Sequence, residues 1–269
     1  MKQAKAFFVT FFITTSLMVC GFTALYWITA YSTPRSAAEN KTNVPLLTPD
    51  YNDTKTALIV MDTESADFFF LLKLNALQKK TSLVSIPSSF PLSVSQRTLA
   101  ESMSYAGIMQ CVQDISEEFD ISIDYHLLCD KTALEKIISS FGGLSIKNLE
   151  GIPASVKNYL LKGSEYIDTT TLVNAAYMSA AVLDNPVGLE FLNLAAMTLI
   201  KTNMHNICDY ALSDLTENSS YLTTNINTRE ADRLRRIITF LLSADVQFDR
   251  LVLCDAATAR QDIDRILKE

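Results

Sequence analysis

Blocks of apolar residues alternate with polar breaks after the first 55 residues, and they predict the centre of the fold. Three apolar runs of strand length cover residues 57–61, 68–74 and 82–86. Their nearly continuous apolar character is typical of strands that are covered on both faces. Residues 75–80 form a polar break of hairpin length, so the second and third runs are expected to pair antiparallel. Pro87 ends the third strand because its ring removes a donor from the ladder.

Helical and strand patterns alternate through the rest of the chain. This alternation favours a mixed α/β domain in which a central mixed sheet is flanked by helices. Polar residues that can cap helices precede several of the helical patterns. The predicted helices are 93–119 with Ser93 or Ser95 as N-cap, 131–141 with Asp130 as N-cap, 193–215, 229–242 with a capping box of Asn227 and Glu230, and 255–267; the further predicted strands are 121–129, 144–149 and 246–254.

The first residues of the chain have the pattern of a membrane anchor. Two lysines in residues 1–6 precede residues 7–31, which carry no charge. Roughly 20 apolar residues suffice to cross a bilayer core as a helix. The lysines predict a cytoplasmic N-terminus, with the rest of the chain outside the cell membrane. Residues 32–55, rich in Ser, Thr, Asn and Pro, predict a linker to one extracytoplasmic domain at 56–269.

A cleaved signal peptide is the alternative interpretation of this N-terminal segment. The uncharged run is longer than the usual h-region of about 7–15 residues, and it lacks an Ala-x-Ala cleavage site. Residues 17–20 are similar to a lipoprotein box, but Val19 occupies a position that favours a small residue. The prediction is therefore an uncleaved, single-pass transmembrane helix.

Charge and cysteine content limit the classes of partner. The formal net charge is −7, which disfavours nucleic acid because phosphate neutralisation requires clustered Lys and Arg. Beyond the anchor, four cysteines are spaced unlike any zinc site. An oxidising exterior would allow two disulfides in three pairings, and buried free thiols are the alternative. These four residues are Cys111, Cys129, Cys208 and Cys254.

Several short segments resemble the LytR-CpsA-Psr domain in their order along the chain. Residues 58–62, 66–72 and 83–87 are similar to its opening, in which a strand ends in an acidic loop and a third strand ends in Ser-Ile-Pro-Arg-Asp. Residues 123–125 (IDY) and 141–144 (FGGL) are similar to later segments. Members of that family are envelope enzymes that move glycopolymers from a polyprenyl-pyrophosphate carrier onto the cell wall. The resemblance implies their fold for this chain.

The resemblance also implies a candidate site at two carboxylates. Asp62 and Asp67 occupy the positions of family carboxylates that lie with a metal ion and the phosphates. They are therefore the candidate catalytic and metal-binding residues, and two nearby carboxylates can hold Mg²⁺ through water. The alternative is structural, because residues at strand ends often accept hydrogen bonds from loop amides.

The chain departs from the family where positive charge is needed. Ser88 stands where the family has arginine, and a later arginine pair falls near Tyr177 and Ser179. No arginine lies between Arg97 and Arg229. Because a leaving pyrophosphate needs cationic partners, the leading hypothesis is a catalytically degenerate protein that binds a polyprenyl lipid, a glycopolymer or an envelope protein. The alternatives are a divergent Mg²⁺-dependent transferase and a structural component of an envelope complex.

Other candidate residues have simpler interpretations. His126 and His205 are expected to be core or edge histidines, and no Gly-x-Ser-x-Gly elbow marks a nucleophilic serine. Four arginines within residues 229–236 share one predicted helix, where interleaved carboxylates favour a solvated surface. The phenylalanines at 68–70 are expected in the core, with an apolar lipid pocket as the alternative.

Overall fold

The protein forms a six-stranded mixed sheet with helices on both faces. The computed structural model describes residues 48–62, 67–140, 144–145, 166–167, 186–206 and 222–268. The strands are β1 Thr54–Met61, β2 Phe68–Asn75, β3 Lys80–Ile86, β4 Pro91–Leu92, β5 Arg97–Thr98, β6 Tyr125–Cys129, β7 Leu144–Ser145, β8 Tyr166–Ile167, β9 Leu222–Thr224 and β10 Gln247–Val252. The helices are α1 Leu99–Ala106, α2 Ile108–Phe119, α3 Lys131–Ser140, α4 Pro186–Asn206, α5 Thr228–Ser243 and α6 Ala256–Ile263, followed by a π-helical turn at Asp264–Lys268.

Strand direction gives the main sheet its polarity. The strand order is β10-β3-β2-β1-β6-β9. β2 runs antiparallel to both of its neighbours, whereas β1 pairs parallel with β6 and β3 pairs parallel with β10. β1, β3, β6 and β10 therefore share one direction, and their carboxyl ends lie at the same edge. The predicted central mixed sheet and the predicted antiparallel pairing of β2 with β3 are confirmed.

Both faces of the sheet are buried, as the continuous apolar runs predict. Leu58, Phe69 and Val84 pack on one face against α1, α2 and α6. Leu74 and Tyr125 pack on the other face against α4 and α5. The phenylalanines of β2 are fully buried core residues, which agrees with their predicted core role. Burying a Phe or Leu side chain contributes about 1.5–3 kcal/mol, so these two layers supply much of the driving force for folding.

The prediction of one helix over residues 93–119 is wrong. Residues 91–98 instead form the β4–β5 hairpin, with Gln96 at a φ of 55°. The N-cap is Thr98, whose hydroxyl accepts a hydrogen bond from the Glu101 amide at 3.2 Å while the Glu101 carboxylate accepts from the Thr98 amide at 2.7 Å. Gly107, with a φ of 72°, then separates α1 from α2, a conformation that glycine adopts without a Cβ penalty.

Tertiary hydrogen bonds also shift the start of β6. The predicted strand began at residue 121, but β6 begins at Tyr125. Asp124 is held outside the strand because its carboxylate accepts from the Lys55 ammonium at 2.7 Å and from the Thr56 amide at 2.9 Å. α4 begins at Pro186, seven residues before its predicted start. The predicted continuation of that helix beyond residue 206 lies outside the described residues.

α5 begins at the predicted N-cap but lacks half of the predicted capping box. The Asn227 side chain accepts from the Glu230 amide at 3.0 Å. The Glu230 carboxylate does not return a bond to Asn227; it accepts from the Tyr125 hydroxyl. Glu230 therefore links α5 to β6. By contrast, Asp130 caps α3 as predicted, since it accepts from the Ala133 amide at 2.7 Å.

In the ranges that the structure describes, no helix combines the length and the apolar character needed to cross a bilayer. The predicted anchor at residues 7–31 lies outside those ranges, as does the predicted linker up to residue 47. Both remain predictions from the sequence.

A buried polar contact joins α1 to α2 across the Gly107 break. The Ser102 hydroxyl donates to one Asp114 carboxylate oxygen at 2.6 Å, and the Gln110 amide donates to the other at 2.8 Å. Asp114 is 3% exposed and Ser102 is fully buried. Because a buried carboxylate is costly without hydrogen-bond donors, Ser102 is expected to be important for the packing of these helices.

Ser102→Ala should destabilise the fold. It leaves one buried oxygen of Asp114 without its donor, and a hydrogen bond to a charged group contributes roughly 1.5–3 kcal/mol. We expect a loss of that size in the free energy of unfolding, measured by urea denaturation. Ser104→Ala is the matched control, because Ser104 is exposed on the same helix. Equal stability of the two variants would contradict this role for Ser102.

Candidate functional site

One edge of the sheet, which we call the acidic rim, is lined by four aspartates. Asp62 follows β1, Asp67 precedes β2, Asp130 follows β6 and Asp255 lies three residues after β10. Because β1, β6 and β10 run in one direction and β2 runs oppositely, all four positions belong to the same edge. Within three described positions of these strand ends, the four aspartates are accompanied by one basic residue, Lys131. The rim therefore carries net negative charge.

Asp130 and Asp255 each have a structural role as a helix N-cap. Asp130 caps α3, and the Asp255 carboxylate accepts from the Ala257 amide at 2.9 Å at the start of α6. Carboxylates are favourable at these positions because they satisfy free amides and oppose the positive end of the helix dipole. These two residues thus explain half of the rim charge without a ligand.

Asp62 and Asp67, the predicted site residues, are brought side by side by strand pairing. Met61 and Phe68 form the last pair of β1 with β2, so each aspartate lies one residue beyond that pair. The Asp62 amide donates to the Cys129 carbonyl at 2.9 Å, which extends β1 one step along β6. Asp62 is exposed and Asp67 is half-buried. Asp62 therefore lies in solvent at the centre of the rim, whereas Asp67 beside it is partly covered by the protein.

The carboxylate pair suits a hydrated hard cation better than a closed metal cage. Mg²⁺ usually keeps several waters and takes one or two protein carboxylates, and an open rim provides that arrangement. In the part of the chain that the structure describes, no group of three or more His, Cys, Asp or Glu side chains could hold a metal ion. A fully protein-ligated metal centre is therefore not found among the described residues.

The three described cysteines are free thiols. Burial raises the pKa of the Cys111 thiol to about 12, with smaller contributions from the charges of Asp114 and Asp67. Burial likewise raises the pKa of the Cys129 thiol to about 12. Because the thiolate is the reactive form, neither is suited to nucleophilic catalysis. Cys254 is exposed, so the alternative of a buried free thiol is wrong for this residue, and Cys208 lies outside the described residues.

Ser88, the predicted site of an arginine replacement, contributes its backbone to the fold. The Phe90 amide donates to the Pro87 carbonyl at 3.0 Å, closing a turn around Ser88 and Ser89. The Ala100 amide donates to the Ser88 carbonyl at 2.9 Å. The turn that follows β3 is therefore fixed to the first turn of α1. Tyr177 and Ser179, near which the resemblance places the family's later arginine pair, lie outside the described residues.

Arg97 is a candidate site residue that sequence reasoning missed. It lies in β5, immediately before Thr98, the N-cap of α1. The first turn of α1 is bonded to Ser88 through the Ala100 amide. Its guanidinium lies 3.9 Å from the ring centroid of Tyr105, which is 67% exposed. Stacking on an aromatic ring orients a guanidinium and leaves its N–H edges available for an oxyanion. No local pattern relates Arg97 to Ser88, because the β4–β5 hairpin brings their segments together.

The prediction of a core or edge histidine is confirmed for His126 but is wrong for His205, which is exposed on α4. His126 lies in β6, 9% exposed, and its backbone amide donates to the Asn225 side chain at 2.9 Å. Burial lowers the pKa of its imidazole, so the ring is neutral at pH 7. His205 lies exposed near the end of α4. Neither histidine lies at the acidic rim.

Comparisons with known proteins agree on one family and one fold. The sequence profile of the LytR_cpsA_psr family matches residues 29–175. Similar solved structures include the Lin1025 protein from Listeria innocua, with 15% identity over 74% of this chain and 82% of that chain at a TM-score of 0.58. A transcriptional regulator from Enterococcus faecalis matches with 15% identity over 75% of this chain and 76% of that chain at 0.57. TagT bound to LIIa-WTA matches with 15% identity over 84% of this chain and 96% of that chain at 0.57. No curated protein sequence matches the chain.

The buried histidine should make stability depend on pH. Because folding lowers the pKa of His126, the unfolded state binds the proton more tightly, and stability falls as pH drops below the unfolded value of about 6.5. We expect His126→Gln to weaken that fall between pH 7 and pH 5, measured by urea denaturation at each pH. His205→Gln is the control, and an equal effect of both substitutions would contradict the assignment.

Proposed function

The chain belongs to the LytR-CpsA-Psr family, whose profile covers more than half of it, and we propose that it binds a polyprenyl-linked glycopolymer without transferring it. In this proposal the protein is anchored in the cell membrane by residues 7–31 and places residues 56–269 outside the cytoplasm. A partner protein of the envelope is a second possible ligand of the same domain. The proposal combines the family membership with the chemistry of the acidic rim.

The observation that carries the proposal is the excess of negative charge at the described part of the rim, together with the uncharged Ser88 at the position that the resemblance assigns to an arginine. A transferred pyrophosphate needs arginine forks or metal ions to stabilise its developing charge. Ser88 has no charge, and its backbone is already bonded to α1. The described rim contains four aspartates and one lysine. A phosphate group would be repelled there without a bound cation, which supports a degenerate catalytic site.

Fold similarity supports retained binding. TagT, which shares this fold at a TM-score of 0.57, has been solved with LIIa-WTA bound. A fold that holds such a ligand in one protein provides a framework for a related ligand in another, even where catalytic side chains differ. We therefore place ligand recognition in this domain, and the loss of catalysis at the rim.

In this proposal Asp62 and Asp67 hold Mg²⁺ through water. Their adjacent positions at an open strand edge fit a hydrated cation. Bound Mg²⁺ would supply positive charge at the rim and so would favour phosphate binding. The other two rim aspartates, Asp130 and Asp255, act as helix caps.

The competing function is a divergent Mg²⁺-dependent transferase. One observation favours it: Arg97, stacked on Tyr105, lies on the segment that is bonded to the Ser88 turn. In that case Arg97 would replace the family arginine as a partner of the phosphate, with Asp62 and Asp67 holding the metal. The two functions differ in turnover, so one assay separates them.

Binding and turnover of a short polyprenyl pyrophosphate should be measured on the full chain in detergent micelles, with and without Mg²⁺. We expect binding that Mg²⁺ strengthens and no release of phosphate. Asp62→Asn and Asp67→Asn should each weaken Mg²⁺-dependent binding at least tenfold, the size of effect typical of lost metal ligation. Asp245→Asn is the matched control, because Asp245 is exposed before β10 at the opposite edge of the sheet.

Each other outcome selects a different function. Phosphate release that depends on Mg²⁺ and is lost in Asp62→Asn would establish the transferase, and its loss in Arg97→Gln but not in Arg260→Gln would assign the cationic role to Arg97. Absence of binding in every condition would refute the proposed ligand. A stoichiometric membrane partner that still binds the Asp62→Asn variant would then indicate a structural component of an envelope complex.

A further inference from the structure

α5 presents a row of arginines to solvent. Arg229, Arg233 and Arg236 are spaced by four and three residues, so they lie on one face of the helix. We call this surface the α5 arginine face. It spans about 10 Å along the helix axis at 1.5 Å per residue. The buried side of α5, which packs on the sheet, is formed by Ala231, Leu234, Ile237, Ile238 and Leu241.

The acidic residues of α5 do not neutralise this face. In the sequence, Glu230 and Asp232 alternate with the arginines and favour a charge-balanced surface. In the structure, Glu230 accepts from the Tyr125 hydroxyl on the sheet side of the helix. Asp232 is paired with Arg235 at 2.6 Å. Both carboxylates therefore have partners other than the three arginines of the face.

Two of the three arginines of the face are exposed and can meet an external anion. Arg229 and Arg236 are exposed, and the described residues provide neither with an ion-pair partner. Arg233 is half-buried and donates to the Asn52 carbonyl at 2.8 Å. The chain as a whole has a net charge of −7, so a surface of three arginines is opposite in sign to the molecule around it.

The bond from Arg233 places this face beside the entry of the chain into the domain. Asn52 lies two residues before β1, and the described chain begins at residue 48. The predicted membrane helix ends at residue 31. The α5 arginine face is therefore bonded to the segment through which the chain reaches the membrane in the proposed anchored arrangement.

We propose that the α5 arginine face docks on anionic lipid headgroups of the membrane in which the protein is anchored. This inference rests on the anchored placement in the proposed function. Charge complementarity and proximity to the chain entry favour a membrane surface over a diffusing ligand. The nearest acidic residues of the entry turn are Asp50 and Asp53, whose carboxylates accept from the turn amides of Asn52 and Asp50. Their negative charge limits the strength of docking.

The proposal can be tested on the full chain reconstituted into vesicles of neutral phosphatidylcholine or of phosphatidylcholine with about 30% phosphatidylglycerol. Arginine modification by phenylglyoxal is then quantified residue by residue with mass spectrometry. We expect Arg229 and Arg236 to be protected in the anionic vesicles at low salt and to lose protection at high salt, because surface electrostatics are screened. Arg260, exposed on α6 at the opposite face of the sheet, should react equally in both.

Substitutions provide a second measurement. Each arginine near an anionic surface strengthens association roughly fivefold, so the double variant Arg229→Gln with Arg236→Gln should weaken docking about 25-fold. The extra protection of Arg233 in anionic over neutral vesicles should then be lost. The matched double variant Arg260→Gln with Arg265→Gln makes the same change of net charge on α6 and its following turn. Protection of Arg233 should persist in that variant.

Three results would overturn the proposal, and they are distinguishable from one another. If Arg229 is modified equally in both vesicle types and the protein floats with both, docking is refuted. The anchored placement is then unaffected. Failure to float with either vesicle type would refute the anchored placement on which docking rests. Equal protection by soluble polyphosphate on neutral vesicles would assign the face to a soluble polyanion.

Discussion

The pairing of β1 with a strand on each side is the constraint on which the rest of the structure depends. β1 is antiparallel to β2 along its full length and parallel to β6 over residues 57–61. This mixed pairing fixes the directions of β2 and β6, against which β3 and β9 then pair. It also brings Asp62, at the end of β1, beside Asp67 and the end of β6. Any shift of β1 by one residue would turn its buried side chains to the other face, so the position of the aspartate pair is fixed by core packing.

The parts of the fold that follow from burial could be predicted from the sequence. Strands covered on both faces must be apolar throughout, and β1, β2 and β3 were found within one to three residues of their predicted bounds. The α1–α2 region could not be predicted in this way. There, the hairpin is held by the Glu118 carboxylate, which accepts from the Val94 amide at 3.0 Å. Contacts between residues 24 positions apart leave no trace in a local periodic pattern.

The residues of the candidate site can likewise be divided into those that the sequence predicts and those that it does not. Asp62 and Asp67 flank the break between two recognisable strands, so their proximity follows from strand pairing alone. Arg97 could not be related to the site, because its position depends on the β4–β5 hairpin and on its stacking with Tyr105. The α5 arginine face was likewise hidden by the alternation of charges in the sequence. The inward bond of Glu230 to Tyr125 shows that this carboxylate does not form an ion pair with the arginines of the face.

The two charged surfaces lie at opposite ends of β1. The acidic rim follows the carboxyl end of β1, whereas Arg233 is bonded to Asn52 just before its start. Eight residues of strand rise about 26 Å at roughly 3.3 Å per residue. Because a paired, buried strand cannot shorten or bend appreciably, this separation is set by the fold and not by the linker. The separation of about 26 Å exceeds the Debye length of about 8 Å at physiological salt. The surface that attracts anions near the chain entry and the surface that requires a cation at the far edge can therefore act independently. A substitution in one surface should leave the electrostatics of the other unchanged.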